Sequence, residues 1–179
     1  AQILEVEIQE RLADMAERSI ELNDLTQQMQ VIQDDLKNLG RYITGSKVDM
    51  ILCNPPYFKV DKQSNLNESQ HYLLARHEIS TNLEEICKIA QRVLKSNGRL
   101  AMVHRPERFL DILDTMQAHN LAPKRIQFVY PKLGKEANML LIEAIKDGSR
   151  DGLKILPPLF IHNQDGSYTP EIHEIYYGK

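Results

Sequence analysis

The chain has 179 residues, 42% of them hydrophobic and 26% charged, the balance of an ordinary globular domain with apolar surface enough for one core. No apolar run approaches the roughly 20 residues of a membrane-spanning helix and no signal-like leader opens the chain, so a soluble cytoplasmic protein is expected. The net charge of −3 is segregated: residues 1–56 carry 5 Lys+Arg against 10 Asp+Glu, residues 57–135 carry 13 against 8, and residues 136–179 carry 4 against 7.

Residues 3–8 read as a strand and residues 10–25 as a helix with Leu12, Met15, Ala16 and Ile20 on one face. A short strand follows at 30–33. Another at 48–53 is apolar enough to be buried on both faces. Residues 57–80 form a long stretch without periodicity that leaves the end of this buried strand, where α/β sheets bind ligands. A helix over 82–95 is announced by Thr81 with Glu84 three residues on, and closed by Asn97 and Gly98. Residues 99–104 make the next strand, Pro106 opens a helix carrying Phe109, Leu113 and Met116, and strands 124–130 and 139–146 are close enough to pair antiparallel. The remainder, with Pro157, Pro158 and an Asp165-Gly166 turn, reads as a hairpin-like extension over 148–179 of a core spanning 1–147. The alternation predicts an α/β fold with a mainly parallel sheet and an antiparallel C-terminal strand pair.

Cys53 and Cys87 have neither a CxxC partner nor a histidine at ligand spacing, so buried thiols are expected. His71, His119, His162 and His173 show no metal-ligand spacing, His104 is given no catalytic role, and no metal is expected.

The strongest chemical signal is Asn54-Pro55-Pro56-Tyr57, directly after the strand at 48–53. Successive prolines fix φ and remove donors, leaving rigid carbonyl acceptors to which Asn54 adds a side-chain carbonyl. Two converging acceptors can hold an NH₂ group by both hydrogens and aim its lone pair at an electrophile, while the Tyr57 ring offers a face for a planar base.

With this motif the chain resembles the class I S-adenosylmethionine-dependent amino methyltransferases, which act on adenine in DNA and RNA or on release-factor glutamine. The closer resemblance is to bacterial enzymes methylating the adenosine amino group beside the anticodon of a valine tRNA. It is carried by Ala-Arg-His-Glu at 75–78, His-Arg-Pro-Glu-Arg at 104–108, the run at 124–129 and Glu136-Ala137-Asn138. The resemblance implies a Rossmann-like fold, S-adenosylmethionine as cofactor and tRNA as partner. It implies Glu7 and Ile8 beside the cofactor's ribose, Asp35 and Leu36 beside its adenine, with Asp34 as the rival acid. Asn54, Pro55, Pro56 and Tyr57 would be the catalytic residues, Asn54 and Pro55 holding the substrate amine and Tyr57 stacking on the base. Asn54 would also contact the cofactor, and Arg76, His77, Arg105 and Arg108 would contact RNA. Protein glutamine or DNA adenine methylation, and a non-catalytic RNA-binding module, are the alternatives.

The chain departs from the family at its beginning. The family's first strand and glycine-rich loop are missing, and no glycine precedes Gly40. A fragment of a longer protein, with weak cofactor binding and possible inactivity of its own, is therefore expected. The vacated central position should be met by direct pairing of the flanking strands, a foreign segment or a rearranged N-terminus, and it favours strand exchange between chains.

Overall fold

The computed structural model describes residues 1–55 and 83–178, so the loop expected over 57–80 and the Thr81 cap lie outside the described residues. In chain order the elements are β1 (Ile3–Glu7), α1 (Glu10–Leu22), β2 (Met29–Gln33), a 3₁₀ segment (Leu36–Arg41), β3 (Val48–Cys53) and α2 (Leu83–Val93). They continue with β4 (Leu94–His104), a 3₁₀ turn (Pro106–Arg108), α3 (Phe109–Ala118), β5 (Leu121–Lys132), β6 (Met139–Lys146), β7 (Lys154–Ile155), β8 (Leu159–His162) and α4 (Pro170–Tyr177).

Two ladders form. In the smaller, β1 pairs β2 in parallel, from Ile3 opposite Met29 to Glu7 opposite Gln33. The larger runs β3-β4-β6-β5-β7, with β8 also on β5. There β3 and β4 are parallel, β6 is antiparallel to both β4 and β5, and β7 and β8 are parallel to β5. Among the described residues no ladder joins β1 to β3. Of the three arrangements expected, direct pairing of the flanking strands is not seen, and the described strands, as expected, do not form one continuous seven-stranded sheet.

Helices α2 and α3 cover one face of the larger sheet. Cys87, Ala90, Ile112 and Met116 pack there against Leu100, Met102, Ile126 and Leu140, all buried. A smaller cluster of Leu39, Ile89 and Val93 gathers Leu4 and Val6 of β1 together with Val48 and Ile51 of β3. The two ladders therefore rest on the same helix although no described backbone bond connects them. Where β4 begins, Asn97 takes φ +65° and a Cβ on Gly98 would meet the Lys95 carbonyl at 2.8 Å, so the chain bulges before pairing resumes with Met50 opposite Arg99. Lys146 is buried without being orphaned, its Nζ donating to the Leu94 carbonyl at 2.7 Å and to Ser46 Oγ at 3.2 Å.

Three expectations are corrected. β3 is not buried on both faces: Val48, Ile51 and Cys53 pack toward the helices, while Met50 and Leu52 are 48% and 77% exposed on a face no described helix covers. The buried stripe of α1 is Ala13 and Ile20, whereas Leu12 and Met15 are 41% and 47% exposed. The tail is hairpin-like only around the Asp165-Gly166 turn, where His162 bridges Tyr168 antiparallel, whereas β7 and β8 both add in parallel to β5. Helix α4 follows it, capped by Thr169 Oγ1 accepting from the Ile172 N–H, with Pro170 in its first turn.

Leu100→Ala should lose about 2–5 kcal/mol, as for a buried core leucine. Leu52→Ala should change stability by less than about 0.5 kcal/mol. Urea unfolding of both variants checks this, and equal losses would mean the β3 face is covered in solution.

Candidate functional site

The chain direction brings several strand ends to one edge. The 3₁₀ segment starts at the end of β2 and finishes with Gly40 against Arg92 in the last turn of α2, beside the point where the Lys47 N–H donates to the Val93 carbonyl at 2.9 Å. It thus starts where β2 ends and finishes beside the start of β3; β1 and β2 run in one sense, as do β3 and β4. Glu7, Asp34 and Asp35 stand at the carboxyl ends of β1 and β2, and Asn54 at that of β3, the strand ends where open α/β sheets hold their ligands.

At the β1 end, Glu7 Oε1 accepts the Gln9 N–H at 2.8 Å, fixing the carboxylate at the turn into α1, with Ile8 half-exposed beside it. The Asp34 N–H donates to the Glu7 carbonyl at 3.1 Å and keeps the two strand ends together. Asp34 is then fully engaged: Oδ1 accepts the Asp35 N–H and Asn38 Nδ2, each at 2.7 Å, and Oδ2 accepts the Tyr42 hydroxyl at 2.9 Å. The bonds from Asn38 and Tyr42 hold its carboxyl below the usual range, and Asp34 in turn pushes the Tyr42 hydroxyl up. Asp35 Oδ1 caps the 3₁₀ segment by accepting the Lys37 N–H at 2.9 Å. Leu36 turns inward to both apolar clusters, so its backbone, not its side chain, stays at the edge.

At the β3 end, Asn54 is exposed and Pro55 buried, and Cys53 opposite Met102 places Pro55 level with His104 on β4. An open cavity of about 520 Å³ lies on the uncovered sheet face, lined by Leu52, Asn54, Ala101, Val103, Arg125 and Leu141 among others, and reaches the edge at Asn54. Burial pushes the Cys53 thiol up to about 11 and the Cys87 thiol to about 12, so neither is a thiolate nucleophile near neutrality. Pro56, Tyr57, Arg76 and His77 lie outside the described residues.

His104, buried where β4 ends, accepts the Arg105 N–H on Nδ1 at 2.8 Å, which leaves the ring proton on Nε2. Sequence alone does not reveal this fixed tautomer; its one signal is a histidine leaving a buried strand. Arg105 is exposed at the edge, whereas Arg108 Nε donates to Asp111 Oδ2 at 2.7 Å and is tied to the first turn of α3. The Asp34-Asn38-Tyr42 network is likewise absent from the sequence expectations, although its i, i+4, i+8 spacing is visible in the residues.

No protein-family model matches the chain. It is 26% identical over 174 residues to a Porphyromonas gingivalis (strain W83) protein named tRNA1(Val) (adenine(37)-N6)-methyltransferase, covering 96% of this chain and 67% of that one. A protein of the same name from Bacteroides fragilis (strain YCH46) is 25% identical over 183 residues, 98% of this chain and 73% of its own. The chain thus spans about two thirds of the length of the curated relatives. Among solved structures, Atu636 of Agrobacterium tumefaciens, described as a predicted O-methyltransferase, superimposes with a TM-score of 0.74 at 22% identity, over 99% of this chain and 78% of that one. A TehB-like SAM-dependent methyltransferase from Corynebacterium glutamicum gives 0.53 at 14% identity, over 81% and 68%. The fold is that of the class I methyltransferases.

Burial, with the Arg108 charge second, lowers the His104 pKa, against the opposing Glu107 charge. The folded protein therefore takes up fewer protons than the unfolded chain, whose histidine titrates near about 6.5, and stability should fall as pH drops through that value. His104→Gln should flatten the fall between about pH 7 and 5 in urea unfolding; a profile identical to the parent's would contradict it.

Proposed function

We propose that this chain belongs to an enzyme that transfers a methyl group from S-adenosylmethionine to the exocyclic amino nitrogen of an adenosine beside the anticodon of a tRNA. The observation that carries the reading is the placement of the candidate residues at strand carboxyl ends. Asn54 and Pro55 follow that of β3, as Glu7 and Asp35 stand at those of β1 and β2, in a chain with the fold of class I methyltransferases. The names of the relatives and the net basic stretch 57–135 support an RNA substrate over a peptide.

The described residues fit the nucleoside half of the cofactor. The Glu7 carboxylate, anchored by the Gln9 N–H, can accept from a ribose diol, and Asp35, oriented by the Lys37 N–H, can accept from an adenine amino group. Asp34 holds the turn instead, since three donors already occupy it. Ile8 and the backbone of Leu36 flank these acids. Bound S-adenosylmethionine supplies an electrophilic methyl group on a sulfonium.

The acceptors for the substrate are the Asn54 side-chain carbonyl and the Pro55 main-chain carbonyl. They take the two N–H bonds of the amino group, aim its lone pair, and stabilise the positive charge that develops on nitrogen as it attacks. No covalent enzyme intermediate is required, in keeping with thiols held protonated by burial. In this reading Tyr57 stacks on the base, and Arg76, His77, Arg105 and Arg108 contact the RNA, with Arg108 offering what its bond to Asp111 leaves over.

In the full-length protein, Asn54→Ala should lower turnover by about 10²- to 10³-fold, the cost of removing one preorganised hydrogen-bonding group. Cofactor affinity measured by calorimetry should stay within about threefold, because Glu7 and Asp35 are untouched. Unchanged turnover would overturn the assignment of Asn54.

A further inference from the structure

We propose that the carboxyl edge continues beyond the methyl-transfer residues into a second RNA-binding station, built from Lys132, Lys135, His162 and Tyr168. This rests on the RNA reading above and extends it to a part of the fold with no role so far.

The topology aligns the station with the site. β6 is antiparallel to both β4 and β5, so β5 runs with β4, and β8 runs with β5. Lys132 and His162, paired across β5 and β8, therefore emerge on the same edge as Asn54 and Arg105. Four strand spacings of about 4.8 Å give roughly 19 Å across the sheet. Because Asn54 is level with Gln127, Lys132 and His162 lie about 16 Å further along the strands, so roughly 25 Å separates the two ends, the length of about seven stacked nucleotides. A loop held at its reactive base by Asn54 can reach this far with its neighbouring backbone.

The station has the chemistry single-stranded RNA needs. An open depression of about 800 Å³ is lined by Pro131, Lys132, Lys135, Glu136, His162 and Gly166. Among the described residues neither lysine forms an ion pair, and Glu136 is the one acid in the lining. His162 Nδ1 donates to the Pro131 carbonyl at 3.3 Å, and Tyr168 stacks on the imidazole with centroids 5.3 Å apart and planes 22° from parallel. Tyr176 of α4 braces the Tyr168 ring at a steep angle, 5.6 Å between centroids. The turn between His162 and Tyr168 is held by the Asn163 N–H to the Ser167 carbonyl at 2.9 Å and the Ser167 N–H to Asp165 Oδ1 at 3.0 Å. Gln164 Nε2 ties it to the Leu133 carbonyl at 3.2 Å.

His162 and Tyr168 face each other across the antiparallel bridge and stand outside the apolar core of this corner. Val129, Leu159 and Ile172 form the core of the corner, while Tyr168 stays 43% exposed. A braced, half-exposed ring stacked on a histidine that shares a depression with two ammonium groups offers an aromatic surface for a base and cations for the adjoining phosphate.

The test measures binding of an anticodon stem-loop RNA by the full-length protein across a salt series. Lys132→Gln with Lys135→Gln should reduce the slope of log affinity against log salt by about 1.4, or about 0.7 for each single-strand phosphate no longer neutralised. Tyr168→Ala should weaken binding about tenfold and Tyr168→Phe should restore it, since the ring does the stacking. KM for RNA should rise with kcat at saturating RNA within about twofold, and cofactor affinity should not move. Lys135→Gln alone, at an exposed position, should carry half the slope change and guards against misfolding of the double variant. Parent-like affinity and slope in the lysine variants, with the parent binding RNA, would overturn the station alone. A parent protein that binds no RNA would overturn it together with the substrate reading.

Discussion

Leu39, Ile89 and Val93 hold the molecule together across a break in its sheet. Leu4 and Val6 of one ladder and Val48 and Ile51 of the other pack against this cluster, and no described backbone hydrogen bond links the two ladders. Ordinary sheets position their strand ends through continuous pairing, which fixes the spacing between neighbours. Here the spacing of Glu7 and Asp35 from Asn54 depends on side-chain packing beneath α2 and the 3₁₀ segment. Apolar packing is dense but directionless, so the residues at the ends of β1 and β2 are related to those at the end of β3 without a shared ladder. Exposed Met50 and Leu52 on β3, and Leu12 and Met15 on α1, are the surfaces this arrangement leaves uncovered.

Along the edge, the polar groups divide into those that hold the fold and those presented toward a ligand. Asp34 spends its oxygens on three local donors and Arg108 its Nε on Asp111, while neighbouring Asp35 and Arg105 stay at the surface of the edge. In each pair one residue builds the turn that presents the other. His104 belongs with the first kind, since its Nδ1 is committed to the Arg105 amide and burial lowers its pKa. The same division recurs at the far end, where Asp165 and Asn163 shape the turn that presents Tyr168.

Much of this was legible in the residues. Period-two runs and helical spacing placed the strands and helices because each buries a regular face against a neighbour, and the short connection between β5 and β6 required their antiparallel pairing. Asn54 and Pro55 stood out because rigid acceptors after a buried strand have a narrow chemical use. The misreadings share one cause: hydrophobicity states what a residue favours, not whether a partner is present. Leu52 and Leu12 have core composition but no covering element among the described residues. The tail was misread because β7 and β8 are too short for periodicity to reveal direction, and their parallel pairing follows from the exposed edge of β5. The Asp34 network was hidden because an acidic pair after a strand looks alike whether it binds a ligand or caps a turn.

At the centre stands delivery of a methyl group, by the Asn54 edge, to an adenine amino nitrogen in tRNA. The most direct measurement is mass spectrometry of digested products after incubating the full-length protein with S-adenosylmethionine and, in parallel, tRNA, DNA and release factor. The expected product is N6-methyladenosine from the anticodon loop of tRNA, with the other two substrates unmodified. Methylglutamine in protein or methyladenine in DNA, with tRNA unchanged, would contradict it.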